Sequence, residues 1–178
     1  MSALTPDETI LGLLVAHPQH GYQLLEAFHD QDRLGQVWSL STSQLYAVLK
    51  RLEREGWIVG QQVDSENAPT RTEYGITQAG REHLLAWLND PQPSPSIRRV
   101  RVEFLSRLYI TRLLGQSVLP ILERQRTSCQ AERLRLSETQ ESSPESLGWC
   151  ASELVIAQLE AVLQWLDRLE MVLNPSHP

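Results

Sequence analysis

A helical pattern of hydrophobic residues runs through the stretch SLSTSQLYAVLKRLEREGWI at residues 39–58. Hydrophobic side chains fall there at i, i+3, i+4 and i+7, namely at Leu45, Val48, Leu49 and Leu52. This spacing predicts an amphipathic helix with one buried face. Ser41 followed by Gln44 is typical of a capping box, and Gly56 is the expected residue just past the helix end. The opposite face is polar and basic, with Ser43, Tyr46, Ala47, Lys50, Arg51 and Arg54.

Two shorter helices are predicted before this one. Thr5-Pro6 with Glu8 has the pattern of a capping box with proline at the first helical position, and the apolar run from Ile10 to Ala16 predicts a buried helix. The sequence HPQHG at 17–21 interrupts it, and a second helix is expected from Tyr22 to about His29.

The hydrophobic period changes after Gly56. Residues 58–63 and 71–76 read as extended segments on either side of a polar turn at 64–69, which predicts a β-hairpin. Thr77 is then a candidate cap for a fourth helix that ends near Asn89. Helix, helix, capped helix and hairpin in this order predict a winged helix-turn-helix, in which the third helix enters the DNA major groove.

The second half of the chain is helical in pattern. Three prolines in NDPQPSPS at 89–96 cannot continue a helix, and helices are expected at 97–114, 119–138 and 147–173. We therefore predict a mainly α fold with a small β-hairpin. Its parts are a winged helix-turn-helix DNA-binding domain (1–90), a proline-rich linker (91–96) and a C-terminal α-helical dimerisation domain (97–178).

The C-terminal helices have more hydrophobic surface than short partner helices need. The predicted dimer-facing residues are Val100, Phe104, Leu108, Val155, Leu159, Val162, Leu166 and Leu169. An intertwined homodimer would bury them against their two-fold mates. The alternative is a monomer whose three-helix tail packs on its own N-terminal domain.

Composition agrees with an ordinary globular protein but complicates a DNA partner. Hydrophobic residues make up 41% of the chain, and no apolar run approaches the roughly 20 residues that span a bilayer. The acidic N-terminus and two cysteines without metal or disulfide spacing favour a cytoplasmic protein without a membrane partner, with Cys129 and Cys150 as buried, inert thiols. The net charge is −6, and residues 1–90 carry all of this excess, so any DNA contact must be a local basic patch.

Four segments in order and register resemble the PadR-type transcriptional regulators. They are ILGLL (10–14), HGYQL (20–24), SQLYAVLKRLEREGWI (43–58) and RTEYGITQAG (71–80). EFLSRL at 103–108 and the chain length resemble the longer, AphA-like subgroup, in which the C-terminal helices interlock two subunits. The resemblance implies a DNA-binding regulator, most often a repressor, that binds a palindromic operator as a homodimer. The chain departs from the family at Thr42-Ser43, at Gly75 and in its acidic wing.

The resemblance and the polar helix face together suggest the DNA-binding residues, which are Ser43, Gln44, Tyr46, Lys50, Arg51, Arg54, Arg71 and Thr72. Gln44 reads an adenine edge or closes the capping box, and Tyr46 contacts a phosphate or packs on the first helix. Arg51 and Arg54 either contact DNA or pair with Glu53 and Glu55. Arg71 at the wing base is a candidate phosphate clamp.

Other chemistry has no residue pattern to support it. We expect no enzymatic activity and no cofactor, and His17 with His20 lacks a third ligand, so no metal site is expected. Tyr22 is assigned to the core. The resemblance suggests a small-molecule effector, for which Trp38, Trp87, Trp149 and Trp165 are pocket candidates, although scattered tryptophans are more often core. The rival interpretation is a winged helix that docks on another regulator without binding DNA.

Overall fold

The computed structural model describes residues 4–65, 68–139, 144 and 146–173. Its internal contacts divide the chain into two compact units. The first contains the chain up to Asp90 together with Leu105–Gln116, and the second contains Pro91–Phe104 and the chain from Ser117 onward. The helix after the prolines thus contributes its second half to the first unit. The predicted division at 91–96 and the role of the last part as a dimerisation domain remain predictions.

The first unit is built from five α-helices and a small antiparallel sheet within the described residues. The helices are α1 (Asp7–Ala16), α2 (Gly21–His29), α3 (Thr42–Arg54), α4 (Gln78–Leu88) and α6 (Leu105–Leu113). The strands are β1 (Gln19–His20), β2 (Ile58–Ser65) and β3 (Ala68–Ile76). The mainly α winged-helix fold predicted from the sequence is therefore confirmed, including its hairpin of β2 and β3.

The sheet has three strands instead of the two predicted. Its order is β1-β3-β2, and β1 pairs antiparallel to β3 with Gln19 opposite Tyr74 and His20 opposite Glu73. Two residues leave no hydrophobic alternation to read in the sequence, so β1 is defined only by its partner strand. This pairing fixes the start of α2 against the wing.

The helix ends follow the predicted chemistry in three cases and depart from it in a fourth. Ser41 and Gln44 form both halves of the capping box on α3, and Thr77 Oγ1 accepts the Gly80 N–H at the start of α4. Gly56 follows α3 with φ of 73°, a conformation that favours glycine. The predicted cap at Thr5 was wrong. The first helix begins at Asp7 after Pro6 without a side-chain cap.

A hydrophobic core joins the helices of the first unit. Leu45, Leu49 and Leu52 of α3 are at most 1% exposed and pack in a cluster with residues of α1, α2, α4 and α6. The predicted buried stripe is therefore confirmed, because the polar positions between these leucines face solvent. Trp38 and Trp87 are partly buried against this core.

The second unit is dominated by two long helices, α7 (Leu119–Thr139) and α8 (Leu147–Leu173). The predicted helix at 97–114 is present, but it is interrupted: α5 (Ile97–Arg99) passes into a π-helical turn at Val100–Phe104 before α6 begins. Phe104 meets Trp165 edge to face with ring centroids 5.7 Å apart. Arg126 of α7 pairs with Asp167 and Glu170 of α8, which joins the two helices at one end.

The predicted dimer-facing residues differ in exposure. Five are buried within the single chain, namely Val100, Phe104, Leu108, Leu159 and Leu166. A side chain buried in this way contributes to the subunit's own core. Val162 and Leu169 are half-buried and Val155 is 36% exposed, while the neighbouring Leu154 and Val172 are 60% and 73% exposed. The hydrophobic surface of α8 that a partner could cover is therefore formed more by these neighbouring residues than by the predicted ones.

Candidate nucleic-acid interface

Helix α3 presents one polar face to solvent. Ser43, Gln44, Tyr46 and Lys50 are all exposed, and Tyr46 is 48% exposed despite its size. The capping box holds the start of this face in place, since Gln44 Oε1 accepts the Ser41 N–H at 2.8 Å. The capping role considered for Gln44 is therefore confirmed. A bidentate contact with adenine would require the same amide oxygen.

The arginines of α3 are paired with acids. Arg51 forms a two-point ion pair with Asp7 at the start of α1. Arg54 contacts Glu55 at 3.1 Å, a solvent-exposed pair of small energetic value. Glu53 points elsewhere, because its Oε1 accepts the Gly60 N–H of β2 at 3.1 Å and so connects α3 to the wing.

Lys50 and Arg71 are the two predicted basic residues without such pairing. Both are exposed, and neither forms an ion pair with any residue that the structure describes. Lys50 is also the single lysine in the sequence. The positive charge of this face therefore comes chiefly from one residue on α3 and one at the base of the wing.

A groove of about 860 Å³ lies between α2, α3 and β3. We call it the tyrosine groove, because it is lined by Tyr22, Tyr46 and Tyr74, together with His20, Gly21, Gln23, Glu26, Arg71 and Thr72. Three predicted DNA-binding residues from two elements, Tyr46, Arg71 and Thr72, thus share one surface.

Close packing at Gly21 fixes the position of Tyr46 in this groove. A Cβ added to Gly21 would lie 2.8 Å from the Tyr46 hydroxyl oxygen and 3.0 Å from its ring. Tyr46 thus packs on the start of α2 while about half of its surface stays open to solvent. From the sequence, Tyr46 was expected to contact a phosphate or to pack on the first helix. In the structure, its ring packs on the second helix, α2.

Tyr22 was wrongly assigned to the core, since it is 67% exposed and lines the tyrosine groove. Its hydrogen bond with Glu26, together with the charge of that carboxylate, raises the pKa of Tyr22. Partial burial, followed by the charge of Glu53, raises the pKa of Tyr74. Both groups therefore keep their protons at neutral pH.

Sequence reasoning missed His20, Glu26 and Tyr74 as groove residues. HGYQL at 20–24 was one of the segments used for the family resemblance, so the stretch itself was visible. The position of this stretch in the groove could not be predicted, because it depends on the pairing of β1 with β3. His20 Nδ1 lies 3.2 Å from the Thr72 carbonyl oxygen, which ties this corner to the wing.

Other predicted features can be located as well. Cys129 is buried, but Cys150 is exposed, so the prediction of two buried thiols was wrong for Cys150. Among the described residues, no three His, Cys, Asp or Glu side chains are grouped as a metal site would require. No described helix is long and apolar enough to cross a membrane. Trp38 and Trp87 lie in the first unit, whereas Trp149 and Trp165 belong to the second.

Comparison with known proteins shows which family this part of the chain resembles. Residues 10–86 match the model of the transcriptional regulator PadR-like family. The negative transcriptional regulator PadR of Bacillus subtilis is 34% identical over 107 residues, which are 60% of this chain and 57% of that protein. Rv1176c of Mycobacterium tuberculosis, named as a probable transcriptional regulator, is 26% identical over 93% of this chain and 95% of its own length.

Among solved structures, Bacillus subtilis PadR in complex with operator DNA aligns with 94% of this chain and 98% of its own, at 25% identity and a TM-score of 0.47. The curated relatives are named as transcriptional regulators, a class of protein that is not enzymatic. The matched segment contains α2, α3 and the wing, the elements that form the tyrosine groove. Residues 10–86 of this chain are therefore similar to the PadR-like family of transcriptional regulators.

Proposed function

We propose that this chain regulates transcription by binding double-stranded DNA, with α3 in the major groove and the wing base on the adjacent backbone. One observation chiefly supports this function: the capped helix α3 exposes Tyr46 in the same groove as Arg71 of β3, and Lys50 is exposed one helical turn further along α3. Helix-turn-helix proteins contact base edges with the start of the recognition helix and phosphates with flanking elements.

The proposed roles follow from position and chemistry. Ser43 and Gln44 lie at the start of α3, where base edges are contacted, and Lys50 lies two turns further along the same face. Arg71 is proposed as the phosphate clamp, with Thr72 beside it, because a guanidinium matches phosphate oxygens bidentately. Arg51 and Arg54 become secondary candidates, since each already has a carboxylate partner.

We also propose that the protein binds a palindromic operator as a homodimer and acts as a repressor. Exposed hydrophobic side chains on α8, such as Leu154 and Val172, favour a covering partner. Val155, Val162 and Leu169 are the predicted dimer residues that retain exposure. The name of the Bacillus subtilis relative, a negative regulator, supports the sign of regulation. A small-molecule effector remains a prediction without an assigned ligand.

A second function is favoured by the pairing of the arginines. With Arg51 on Asp7 and Arg54 on Glu55, the basic surface of α3 is smaller than the sequence indicated. An acidic winged helix with so little free positive charge could dock on another protein regulator and leave DNA alone. The two functions differ in whether Lys50 and Arg71 control binding to DNA.

Fluorescence anisotropy distinguishes DNA binding from docking on another regulator. It uses a labelled duplex from upstream of the protein's own gene, with a scrambled duplex as reference. Lys50→Ala should remove the preference for the upstream duplex, and Arg71→Ala should weaken binding to both duplexes. Arg81→Ala on α4 is the matched control, since it removes an exposed arginine of the same unit. Equal, feeble binding of the wild type to both duplexes, unchanged by any variant, would favour the protein-docking function.

The single lysine offers an independent measurement. Acylation of the folded protein with an amine-reactive reagent can modify Lys50 and the N-terminal amine alone. If α3 enters the groove, the upstream duplex should protect Lys50, while the N-terminal amine serves as the internal control. Equal labelling of Lys50 with and without saturating duplex would contradict the placement of α3.

A further inference from the structure

The tyrosine groove has charges of opposite sign among its lining residues. Arg71 of β3 supplies a positive charge, and Glu26 of α2 supplies a negative one. The DNA-binding function proposed above accounts for Arg71 but gives Glu26 no role. A carboxylate beside a surface that binds phosphates is unfavourable for binding. The inference drawn from it rests on the proposed DNA-binding function.

We propose that one backbone phosphate of bound DNA sits in the tyrosine groove, contacted by Arg71 and Tyr46, and that Glu26 weakens this contact. The groove then supplies attachment that does not depend on sequence, and Glu26 limits its strength. Selective binding would consequently depend on the base contacts of α3.

The contacting groups are already in position. The Tyr46 ring packs closely on Gly21, where an added Cβ would lie 2.8 Å from the hydroxyl oxygen, and this packing places the hydroxyl at the groove. Arg71 is exposed and forms no ion pair with a described residue, and a guanidinium matches phosphate oxygens bidentately. Tyr and Arg side chains are common donors to the DNA backbone.

Glu26 acts on the groove in two ways. Its charge opposes a phosphate directly, by an amount that corresponds to roughly fivefold in affinity for unit charges about 4 Å apart in water. Its carboxylate also raises the pKa of Tyr22, whose hydroxyl group belongs to the lining of the same groove. Removing the charge of Glu26 should therefore strengthen backbone attachment, an unusual direction for a substitution in a binding site.

The experiment measures anisotropy of the upstream and scrambled duplexes with Glu26→Gln at two salt concentrations. Glu82→Gln on α4 is the matched control, because it removes one exposed carboxylate from the same unit outside the groove. We expect Glu26→Gln to tighten binding to both duplexes by roughly fivefold, with their ratio unchanged, and Glu82→Gln to change it by less than about twofold.

A second pair of variants, Arg71→Gln and its control Arg81→Gln, tests the positive charge of the groove. Arg71→Gln should weaken binding to both duplexes and reduce the slope of log affinity against log salt by about 0.9, the value for one phosphate on double-stranded DNA. Arg81→Gln should leave the slope unchanged. The charge of the phosphate that Arg71 contacts can also be removed from the DNA by a methylphosphonate substitution. A duplex with this substitution at the contacted phosphate should bind the wild type and Arg71→Gln equally.

The outcomes separate this inference from the function on which it rests. If Lys50→Ala loses selectivity but Glu26→Gln behaves like Glu82→Gln or weakens binding, the regulator stands and the phosphate seat is overturned. If the wild type binds both duplexes feebly and no variant changes this, the proposed function fails and the inference fails with it. The inference is supported if Glu26→Gln tightens DNA binding while Glu82→Gln does not, and if Arg71→Gln weakens it.

Discussion

Asp7 at the start of α1 and Arg51 near the end of α3 form a two-point ion pair. Arg51 Nε lies 3.1 Å from Asp7 Oδ2, and the guanidinium NH2 group contacts the other carboxylate oxygen. The Asp7 side chain is only 12% exposed, whereas the Arg51 side chain is 36% exposed. The pair therefore joins the first helix to the proposed recognition helix at the edge of the core.

Asp7→Asn tests the contribution of this pair to stability. We expect the free energy of unfolding to fall by about 1–2 kcal/mol, between the values for exposed pairs and for buried pairs that lose one partner. Chemical denaturation followed by circular dichroism measures it. Glu55→Gln, which breaks the exposed pair with Arg54, is the control and should change stability by less than about 0.5 kcal/mol. Equal effects of the two substitutions would mean that Asp7 holds no special position.

Gly21→Ala tests whether packing on α2 positions Tyr46. An alanine is tolerated by the helix itself, but its Cβ would displace the Tyr46 hydroxyl, which would lie only 2.8 Å away. We expect DNA affinity to fall by roughly tenfold, the value for one lost hydrogen bond to a charged group, with little loss of stability.

A double-mutant cycle provides the control for this substitution. In a Tyr46→Phe background, Gly21→Ala should cost little further affinity, because the hydroxyl that it displaces is already absent. Additive losses would show that Gly21 acts on DNA binding by another route. Thermal unfolding of all four proteins separates misfolding from lost contact.

Gly80→Ala tests the contact between α4 and the turn that links α3 to β2. A Cβ at Gly80 would lie 2.1 Å from the Trp57 carbonyl oxygen, a backbone atom that cannot move aside cheaply. We expect a loss of about 1–3 kcal/mol in unfolding free energy, as for other overpacked sites. Gly75→Ala is the matched control, since nothing lies within 4 Å of its added Cβ, and it should be nearly neutral.

The two cysteines should differ in reactivity. Burial raises the pKa of the Cys129 thiol, which lowers its thiolate fraction at any pH below that value, while Cys150 is exposed. A thiol reagent at pH 8 should therefore modify one cysteine quickly and the second only after unfolding. Cys150→Ser should abolish the fast phase, and Cys129→Ser should leave it intact. Two fast equivalents in the wild type would contradict the buried position of Cys129.

The raised pKa of Cys129 also predicts a direction for stability at high pH. The neutral thiol is favoured in the folded state, so its contribution is complete below the unfolded-state pKa. It is lost as the pH rises through the folded-state pKa. The unfolding free energy should consequently decline above about pH 8.5. Part of that decline should be absent in Cys129→Ser.

The sequence by itself determined the local elements of this protein. The leucine stripe of α3, its Ser41 cap and Gly56 after its end were all readable, because helix period and capping chemistry act over a few residues. The hairpin after Gly56 was readable for the same reason. The polar face of α3 followed directly from the positions of its buried residues.

Only the tertiary structure decided which distant groups meet. Arg51 was expected to contact DNA or to pair with Glu53 or Glu55, yet it pairs with Asp7, which lies 44 residues away in the sequence. Tyr22 was expected in the core, yet it is 67% exposed and lines the tyrosine groove, whose residues come from α2, α3 and β3. Such contacts depend on how whole elements pack, and a single sequence carries no local pattern for them. The number of free positive charges on the proposed DNA face was consequently fixed by packing, whereas the face itself was fixed by hydrophobic periodicity.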